Sequence, residues 1–488
     1  MPGRLSLLEL SRFTTILSCC LALGAAASAT TPVVTISSPA TGSQGSSPVH
    51  YLASAVSPQC SKGIASMRIY LAPRVSAYGV NASHLDVNLK LSPGTYDTVV
   101  QAWDNCGGVG RAPVRITVSA TGLRPARFLY LTTSSGDNKP IWEYLVNPKT
   151  GSLTLTKQRS VKGTGHFLFA LAADKGGNRL YAMPDNAFPN DDYAVAYFID
   201  RRKGSLSPVP GSPLGLFYSI QTVAVHPSGK FIYAGTIDLG VGSPGVLVLR
   251  VNSNGSLTLL TPNPVLTQEN PQAMAVDPAG KYLYVGSLPG NAIEAFDVNG
   301  TSGALTPLPG SPFTLDIPGC TGNSPLAATD LLGRYLYVVT DNISSVFGLA
   351  IGRTTGTLKE IAGSPFPVGA GNMCGTEGLS SLAVEPTGRF LYVRENTSGK
   401  ISIFSINAGN GALRHIKTTK FLAATLAVDP SGSYLYTFAS SNVSGHNPLD
   451  EVTGFAINHS TGDLTRLPGL PVMIPTSFAE GFNLVVTP

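Results

Sequence analysis

The chain has 488 residues, which is enough for more than one folded domain. Only 12% of the residues are charged, the formal net charge is +5 and no basic run occurs, so the composition excludes an electrostatic nucleic-acid surface. The hydrophobic share of 43% is ample for two packed cores.

Residues 1–29 have the pattern of a secretory signal peptide. Two arginines accompany an apolar run from Phe13 to Ala27, and Ala27-Ser28-Ala29 supplies the small residues of a cleavage site. The run is too short to span a membrane as a helix. We therefore expect cleavage near Ala29 and Thr30, no membrane span, and a mature protein that is secreted or periplasmic. Two cysteines inside the apolar run leave lipid attachment as an alternative.

The next segment, residues 31–120, predicts a small β-sandwich. Five stretches rich in β-branched and aromatic residues alternate with proline and glycine at the spacing of a sandwich. These stretches are Val33–Ile36, Met67–Leu71, Leu85–Leu91, Tyr96–Trp103 and Val114–Val118. The segment resembles the Ig-like domains of secreted bacterial proteins in architecture, although Trp103 does not lie midway between two cysteines. The resemblance says nothing about a ligand.

Four cysteines remain after the predicted cleavage, an even number that suits an oxidising compartment. We predict one disulfide between Cys60 and Cys106 in the sandwich and another between Cys320 and Cys374 in the C-terminal region. The alternative is a metal site. No Cys-x-x-Cys pair occurs, however, and no histidine lies near these cysteines in sequence. The sequence therefore predicts neither a metal nor a cofactor.

From Phe128 to the C-terminus one pattern recurs seven times with a period near fifty residues, which is typical of a propeller or a solenoid. Its first part is an aliphatic residue followed by tyrosine, and its second part is a Gly-x-Leu turn. The tyrosines are Tyr130, Tyr181, Tyr233, Tyr284, Tyr337, Tyr392 and Tyr436, and the turn glycines are Gly151, Gly204, Gly255, Gly303, Gly356, Gly411 and Gly462.

Each period predicts four strands joined by short turns. In the fourth period, Ala273–Val276 and Tyr282–Val285 have strand-forming residues on either side of an Asp-Pro-x-Gly-Lys turn. Ile293–Val298 and Leu305–Leu308 follow, separated by a second turn, and no stretch has helical periodicity. The prediction for residues 124–488 is a seven-bladed β-propeller. The fold class is thus all-β, a sandwich followed by a propeller.

The two ends of the propeller segment predict how the ring closes. Blade 1 begins directly at its tyrosine strand, at Arg127, with no inner strand before it. The chain ends with the segment from Asn483 to Pro488, which resembles the inner-strand sequence Leu382–Pro386. We expect this C-terminal strand to complete blade 1. A frayed C-terminal tail is the alternative.

Turns in an antiparallel blade fall on two faces of the propeller. The Asp-Pro-x-Gly and Gly-x-Leu turns lie on one face and are short and uniform. Variation in length falls on the other, which we call the variable face, in the loops at 184–192, 342, 394–396 and 440–451 and in those that contain Cys320 and Cys374. Loops on a rigid scaffold commonly hold binding and catalytic residues, so we expect any functional site there, at the mouth of the central channel.

The repeats resemble those of the seven-bladed lactonase family, the 6-phosphogluconolactonase-like propellers, and more loosely YVTN repeats. A Val-(Asp/Glu/His)-Pro-x-Gly-(Lys/Arg) pattern is present in Val225–Lys230, Val276–Gly286 and Val384–Val393, and Gly-Ser-Pro-Phe occurs at Gly310–Phe313 and Gly363–Phe366. The resemblance covers roughly residues 124–488. It implies a propeller and, as an activity, hydrolysis of a sugar lactone.

Two motifs of the family are altered in this chain. Where members of the family commonly have Gly-Pro-Arg-His before an inner strand, this chain has Asn270-Pro271-Gln272-Ala273. Where they have Tyr-Val-x-Asn-Glu, it has Tyr392-Val393-Arg394-Glu395-Asn396, with the last two residues exchanged. An arginine and a histidine that would act on a lactone carbonyl are therefore absent from the places that the resemblance implies.

Other residues on the variable face could supply this chemistry. Lactone hydrolysis needs a general base for water, a cation or donor for the oxyanion, and an acid for the leaving oxygen. Glu395 beside Arg394 would supply a base and an oxyanion partner, and His166 is a third catalytic candidate. Side chains of adjacent residues on an extended segment point apart, however, so ordinary surface charge is the alternative.

Further polar residues of the variable face are candidate ligand contacts. They are Asp185, Asp341, Asn342, Asn396 and His446. Asp185-Asn186 together with Asp191-Asp192 has the oxygen ligands that Ca²⁺ prefers, and a solvated loop is the alternative that we favour.

Two functional hypotheses follow. The first is a noncatalytic, exported and monomeric propeller that binds a carbohydrate, lactone or surface-protein partner on its variable face, with the sandwich as a spacer. The altered family motifs and the low charge favour it. The second is a 6-phosphogluconolactonase-like hydrolase of a sugar lactone, which the family resemblance favours. Export and the lack of clustered Arg and Lys residues argue against a phosphorylated substrate.

Overall fold

The computed structural model describes residues 31–41, 43–46, 49–71, 75–89, 91, 94–119, 125–133, 140–160, 168–184, 193–216, 218–237, 244–260, 264–288, 292–315, 326–330, 333–340, 343–368, 379–439, 450–474 and 481–488. These residues form strands and turns with no helix, which confirms the all-β prediction. No helical segment capable of crossing a membrane occurs among them. They divide into two compact units, with the boundary between Val118 and Ser119.

The first unit consists of two sheets that share one hydrophobic core. Its strands are β1 (Val33–Ser38), β2 (Ser43–Ser46), β3 (Val49–Val56), β4 (Ile64–Leu71), β5 (Val75–Val80), β6 (His84–Leu89), β7 (Gly94–Asp104) and β8 (Val109–Ser119). One sheet has the order β1-β3-β6 and the other the order β2-β8-β7-β4-β5.

The sequence analysis identified five of these strands and missed β2, β3 and β5. The β3 segment contains alanine and serine, which are not strong strand formers. In the structure Tyr51, Ala53 and Ala55 are buried at alternate positions of β3, while the residues between them are more exposed. The strand is therefore recognised by the alternation of buried and exposed positions, and not by large strand-forming side chains.

Cys60 and Cys106 form the predicted disulfide of the first unit, with their Cα atoms 5.9 Å apart. The neighbouring carboxylate of Asp104 holds the same turn, because the backbone N–H groups of Cys106 and Gly108 donate to its Oδ1 at 2.9 and 2.7 Å. The turn is thus fixed both covalently and by charge-assisted hydrogen bonds. The second predicted pair, Cys320 and Cys374, lies outside the described residues.

The second unit contains seven antiparallel sheets, which are the blades of the propeller. Blade 1 is formed by β9 (Phe128–Thr133), β10 (Pro140–Val146) and β11 (Leu153–Ser160) together with the C-terminal strand. Blade 2 is formed by β12 (Leu168–Ala173), β13 (Arg179–Pro184), β14 (Tyr193–Ile199), β15 (Leu206–Pro208) and β16 (Leu214–Gly215). Blade 3 is formed by β17 (Ile220–Val225), β18 (Phe231–Thr236), β19 (Gly245–Val251), β20 (Leu257–Leu259) and β21 (Val265–Leu266).

The remaining blades repeat this arrangement. Blade 4 is formed by β22 (Asn270–Val276), β23 (Tyr282–Leu288), β24 (Ala292–Val298), β25 (Leu305–Pro307) and β26 (Phe313–Thr314). Blade 5 is formed by β27 (Leu326–Thr329), β28 (Tyr335–Val339), β29 (Ser345–Ile351), β30 (Leu358–Glu360) and β31 (Phe366–Pro367). Blade 6 is formed by β32 (Leu379–Val384), β33 (Phe390–Glu395), β34 (Lys400–Ile406) and β35 (Leu413–Leu422). Blade 7 is formed by β36 (Thr425–Val428), β37 (Tyr434–Ala439), β38 (Glu451–Ile457), β39 (Leu464–Arg466) and β40 (Val472–Met473), and the last strand of the chain is β41 (Gly481–Thr487).

The C-terminal strand closes the ring as predicted. Blade 1 has the order β11-β10-β9-β41, so β41 occupies the innermost position that the other blades fill with their first strand. Leu484 lies opposite Leu131 and Val486 lies opposite Leu129 in this pairing. The seven inner strands β12, β17, β22, β27, β32, β36 and β41 are neighbours in this order around the ring, and β41 is in turn next to β12.

Adjacent blades are joined by one recurring hydrogen bond from the repeat tyrosine. Its buried hydroxyl donates to the carbonyl of the Gly-x-Leu glycine in the next blade, as in the 2.9 Å bond from Tyr284 to Gly356. The same bond runs from Tyr130 to Gly204, Tyr233 to Gly303, Tyr337 to Gly411, Tyr392 to Gly462 and, across the closure, Tyr436 to Gly151. We call this contact the tyrosine latch.

Each latch also requires that its glycine lack a side chain. Gly356 has a φ of +68°, and a Cβ at this position would lie 2.4 Å from the ring of Tyr282 in the preceding blade. The aromatic residue two positions before the repeat tyrosine therefore packs directly on the glycine backbone. Only glycine satisfies both the left-handed backbone and this close approach.

The seam between blades 2 and 3 lacks the latch. No described residue accepts a hydrogen bond from the buried hydroxyl of Tyr181, although Gly255 occupies the equivalent turn of blade 3. Arg179 replaces the aromatic residue that packs on the glycine in the other blades, and Phe198 contacts Gly255 instead. Among the described residues, this seam therefore lacks the tyrosine hydrogen bond that the other six have.

The latch predicts unequal effects of the same substitution at two blades. Tyr284→Phe should lower the free energy of unfolding by about 1–2 kcal/mol, because it leaves the buried Gly356 carbonyl without its donor. Tyr181→Phe should change it much less, since that hydroxyl has no acceptor among the described residues. Denaturant unfolding of the two variants measures the difference. Equal losses would show that the latch does not stabilise the ring.

Removal of the C-terminal strand should open the propeller. Deletion of residues 482–488 exposes the inner edge of β9 and removes Leu484 and Val486 from the core between blades 1 and 7. The expected loss is several kcal/mol, at about 1.5–3 kcal/mol for each large buried side chain. Thermal melting of the truncated chain measures it, with deletion of Pro488 alone as the control. An unchanged melting temperature of the longer truncation would contradict closure by β41.

Candidate functional site

The inner strands share a local irregularity close to the point at which they begin. In β12, β17, β22, β32 and β41 the pairing with the second strand shifts by one residue, which leaves one residue unpaired as a β-bulge. The unpaired residues are Phe169, Gln221, Gln272, Ser380 and Phe482. A bulge redirects side chains relative to regular strand alternation, and bulges are common next to active sites.

A cavity of about 390 Å³ lies between the inner strands at this level. Blades 1, 2, 3, 4, 6 and 7 contribute to its wall, so it is the central channel of the propeller. The polar side chains among the described residues of the wall are uncharged; they are Gln221, Thr222, Gln272, Ser380, Ser381, Thr425 and Asn483. Among these described lining residues there is no carboxylate, imidazole or cationic group. Such a wall is suited to hydrogen bonding with a polar, uncharged ligand.

The altered family motif of blade 4 lies in this wall. Gln272 and Ala273 both line the cavity, at the places where the family resemblance implies an arginine and a histidine. The amide of Gln272 can donate and accept hydrogen bonds, but it cannot carry a charge or take up a proton. The methyl group of Ala273 provides neither function.

Arg394 lies beside the channel, at the end of the second strand of blade 6. Its Nε donates to the Ala423 carbonyl at 2.7 Å, and its Nη1 donates to Ser380 Oγ and to Asn396 Oδ1, the latter at 2.9 Å. Ser380 and the residue after Ala423 both belong to the channel wall. Burial lowers the pKa of the Arg394 guanidinium, yet an arginine remains a cation at neutral pH.

Glu395 is almost fully buried within blade 6, where it accepts three hydroxyl hydrogen bonds. Ser402 Oγ and Thr418 Oγ1 donate to its Oε1 at 2.7 and 2.9 Å, and Ser398 Oγ donates to its Oε2 at 2.7 Å. His415 lies on the outer strand of the blade, and its Nε2 is 3.3 Å from Ser402 Oγ. Desolvation lowers the pKa of His415, an effect that the negative charge of Glu395 opposes.

Arg394 and Glu395 point to opposite sides of blade 6. Arg394 lies on the side of Tyr392, whose hydroxyl bonds to blade 7, and it contacts the connection that leads into that blade. Glu395 contacts only strands and turns of its own blade among its recorded hydrogen-bond partners. Strand alternation directs the two side chains to opposite faces of the blade, and their recorded hydrogen-bond partners differ. The catalytic roles predicted for them stay predictions.

Blade 4 contains the same polar pair with the two residue types interchanged. Ser287 occupies the position of Glu395, and Glu294 occupies the position of Ser402; their side chains approach to 3.5 Å. Glu294 is also buried, and desolvation raises its pKa. A carboxylate bonded to a hydroxyl between the second and third strands is therefore a feature of two blades, which favours a structural role for Glu395.

Of the remaining candidate residues, only Asn396 is described, and its side-chain oxygen holds Arg394 in place. The residues that lie outside the described ranges are His166, Asp185, Asp341, Asn342 and His446. The catalytic and binding roles predicted for all of these residues stay predictions. The sequence analysis did not select Gln221, Ser380, Thr425 or Asn483, because neutral polar residues on strands carry no signal that distinguishes a channel wall from a solvent-facing strand.

The chain matches the family model of the lactonase seven-bladed β-propeller over residues 220–321 and 327–478, which together are more than half of its length. The 6-phosphogluconolactonase of Serratia proteamaculans (strain 568) is 22% identical over 355 residues, covering 71% of this chain and 96% of the relative. The 6-phosphogluconolactonase of Yersinia pestis (strain Pestoides F) is 22% identical over 353 residues, covering 70% and 94% respectively.

Solved structures have the same fold at low sequence identity. A Bacteroides fragilis NCTC 9343 protein is similar with a TM-score of 0.61 and 18% identity, covering 75% of this chain and 99% of its own. The periplasmic gluconolactonase of Pseudomonas aeruginosa is similar with a TM-score of 0.59 and 16% identity, covering 74% and 99%. With the family model matched over five of its blades, this chain belongs to the lactonase family of seven-bladed β-propellers.

Proposed function

We propose that this chain is an exported, noncatalytic member of the lactonase family that binds a polyhydroxyl ligand, such as a sugar, in its central channel. The composition of the channel wall is the observation that carries this proposal. Seven uncharged polar side chains line it, and none of the described lining residues can act as a general base at neutral pH. Amides and hydroxyls of this kind both donate and accept hydrogen bonds, which suits the hydroxyl groups of a sugar.

The position of Glu395 supports the absence of catalysis. It is the carboxylate of the altered Tyr392–Asn396 motif, but its recorded partners are three hydroxyl donors inside blade 6. A general base must lie within hydrogen-bond reach of the water that it activates. A carboxylate whose oxygens are already occupied, on the side of the strand away from Arg394, is poorly placed for that task.

Export is part of the proposal and rests on two observations of different kinds. Residues 1–29 have the charge, apolar run and small-residue pattern of a signal peptide. The disulfide between Cys60 and Cys106 fits an oxidising compartment. In this proposal the first unit is an Ig-like spacer that carries the propeller outside the cytoplasm.

The second candidate function is hydrolysis of a sugar lactone. Relatives named 6-phosphogluconolactonase and the similar structure of a periplasmic gluconolactonase favour it. Arg394 beside the channel would be the cation available to polarise a lactone carbonyl. This candidate lacks a described residue of the channel wall that could activate water.

The binding proposal predicts a specific effect of a channel amide. Gln272→Leu keeps the size of the side chain and removes its hydrogen bonds, so it should weaken sugar binding by about three- to tenfold. Gln158→Leu, on the exposed outer strand of blade 1, is the matched control and should have no effect. Isothermal titration of purified protein with a panel of monosaccharides and aldonolactones measures the affinities. Equal affinities of the wild type and Gln272→Leu would contradict binding in the channel.

The same lactone panel separates the two candidate functions. We expect acid release from glucono-1,5-lactone at the uncatalysed rate, because no described residue of the channel wall can activate water. Enzymatic turnover that Gln272→Leu or Arg394→Gln reduces would instead establish hydrolysis in the channel and overturn the noncatalytic proposal.

Glu395→Gln should change stability and not ligand binding. The amide presents an N–H group to hydroxyls that now donate to a carboxylate, so the free energy of unfolding should fall by about 1–3 kcal/mol. Denaturant unfolding measures this loss, with Glu360→Gln on an exposed edge strand of blade 5 as the control that should be near zero. A stable Glu395→Gln protein with impaired binding or turnover would assign Glu395 to the functional site.

A further inference from the structure

The channel wall contains a set of apolar side chains in addition to its uncharged polar ones. Six aliphatic residues line the same cavity, one from each of blades 1, 2, 3, 4, 6 and 7. They are Leu484, Leu171, Val223, Met274, Leu382 and Leu426, and we call them the aliphatic layer. The described part of the wall is therefore amphipathic, because amides, hydroxyls and aliphatic groups border one cavity.

The members of the aliphatic layer occupy equivalent positions of the inner strands. Met274 lies two positions after Gln272, the bulge residue of its strand, and the same spacing from the bulge occurs in β12, β17, β32 and β41. In blade 7, Leu426 lies three positions before the aspartate of the following turn, as Met274 does in blade 4. A strand rises about 3.3 Å per residue, so the layer lies roughly 7 Å beyond the bulges, toward the Asp-Pro-x-Gly turns.

The cavity has the size and the mixed wall of a small-molecule site. Its volume of about 390 Å³ falls within the range of about 300–1,000 Å³ that is usual for ligand pockets, whose walls combine apolar side chains with a few polar groups. Val223, Met274 and Leu382 are only half-buried, although they lie on the innermost strands of the propeller. An apolar group that covered them would be favoured by the removal of their surface from water.

We infer that the channel ligand is amphipathic, a sugar joined to a short alkyl chain that contacts the aliphatic layer. This inference rests on the proposed function and specifies the class of its ligand. The hydroxyl groups of the sugar contact the polar side chains at the level of the bulges, and the chain extends along the channel toward the Asp-Pro-x-Gly turns. The order of the two levels along the inner strands determines this orientation.

An amphipathic ligand suits this wall better than a purely polar or a purely apolar one. A free sugar at the level of the bulges would leave the partly exposed side chains of the aliphatic layer in contact with water. A wholly apolar ligand would cover amides such as that of Gln272 without offering them a hydrogen bond, which costs free energy. A sugar with an alkyl chain matches both parts of the wall.

Titration calorimetry with alkyl glycosides of increasing chain length tests the inference. The probes are the methyl, butyl and hexyl glycosides of glucose, galactose and mannose, all below the concentrations at which they form micelles. For at least one sugar, the affinity of the wild type should rise about three- to fourfold for each added methylene group, the factor expected for its burial. The heat-capacity change of binding should become more negative along the series, because more apolar surface is buried.

Substitutions in the aliphatic layer should remove the effect of chain length. Met274→Gln and Leu382→Gln should reduce the gain to less than about twofold for each methylene group and leave the affinity for the methyl glycoside within about threefold of the wild type. Met274→Leu, which keeps the site apolar, should retain the gain. Leu266→Gln is the matched control, because Leu266 is 63% exposed on a short outer strand of blade 3. Each variant is first compared with the wild type by thermal melting.

The outcomes distinguish this inference from the proposed function. Wild-type affinities that do not change with chain length, or a gain that survives both Met274→Gln and Leu382→Gln, would overturn the amphipathic ligand and leave sugar binding in the channel intact. Failure of the wild type to bind any of the glycosides would contradict the proposed function and this inference together.

Discussion

The tyrosine latch is the interaction on which the geometry of the propeller depends. Each blade is a twisted sheet with its own hydrogen bonds, and these bonds do not fix the distance between that blade and the next. The buried hydroxyl of Tyr337, for example, reaches across the seam to the Gly411 carbonyl at 2.8 Å, while the ring of Tyr335 packs on the same glycine. Repeated around the ring, this contact sets the angle between blades and therefore the width of the central channel.

The latch also explains why closure needs the C-terminal strand. Tyr436 of blade 7 donates to Gly151 of blade 1, which joins the two ends of the ring. The inner edge of blade 1 would remain open without β41, since β9 is the first strand of the unit and has no preceding partner. The chain thus closes the ring with a hydrogen bond at the seam and a paired strand at the channel, and loss of either would affect the same core.

The seam between blades 2 and 3 is an informative exception. Arg179 cannot pack on Gly255 as an aromatic ring does, and instead it lies over the ring of Phe198 and 3.9 Å from Asp174. The Tyr181 hydroxyl has then lost the acceptor that the register of the other blades provides. The presence of Arg179 in place of an aromatic residue therefore affects two contacts, the ring packing on Gly255 and the hydrogen bond of the Tyr181 hydroxyl. Local opening of a propeller is expected to begin where such contacts are fewest.

The sequence was sufficient to predict the fold because the residues that define it are chemically unusual. A buried tyrosine and a left-handed glycine recur at a fixed period, and both leave a clear pattern in the printed sequence. The disulfide of the first unit could be predicted from the even number of cysteines, and closure by β41 from the missing inner strand of blade 1 and the strand-like C-terminal sequence. Strand β3 was missed because its buried positions are filled by small residues such as Ala53 and Ala55, whose burial depends on the facing sheet.

The candidate site was harder to predict because it depends on the directions in which side chains point, and the sequence does not specify these directions. Alternation along β33 predicts that the side chains of Arg394 and Glu395 diverge, but it does not say which of them contacts a residue of the channel wall. The β-bulges that place Gln221, Gln272 and Ser380 in the wall are set by the pairing of two strands and leave no mark on either one alone. Several other candidates lie in loops outside the described residues, where the prediction rests on composition alone.

The uncharged side chains among the described residues of the channel wall determine how binding energy would be used. An enzyme gains rate only from groups that interact more strongly with the transition state than with the ground state. Amides and hydroxyls on rigid inner strands would contact a sugar and its reaction intermediate almost equally, so they favour retention of the ligand over its conversion.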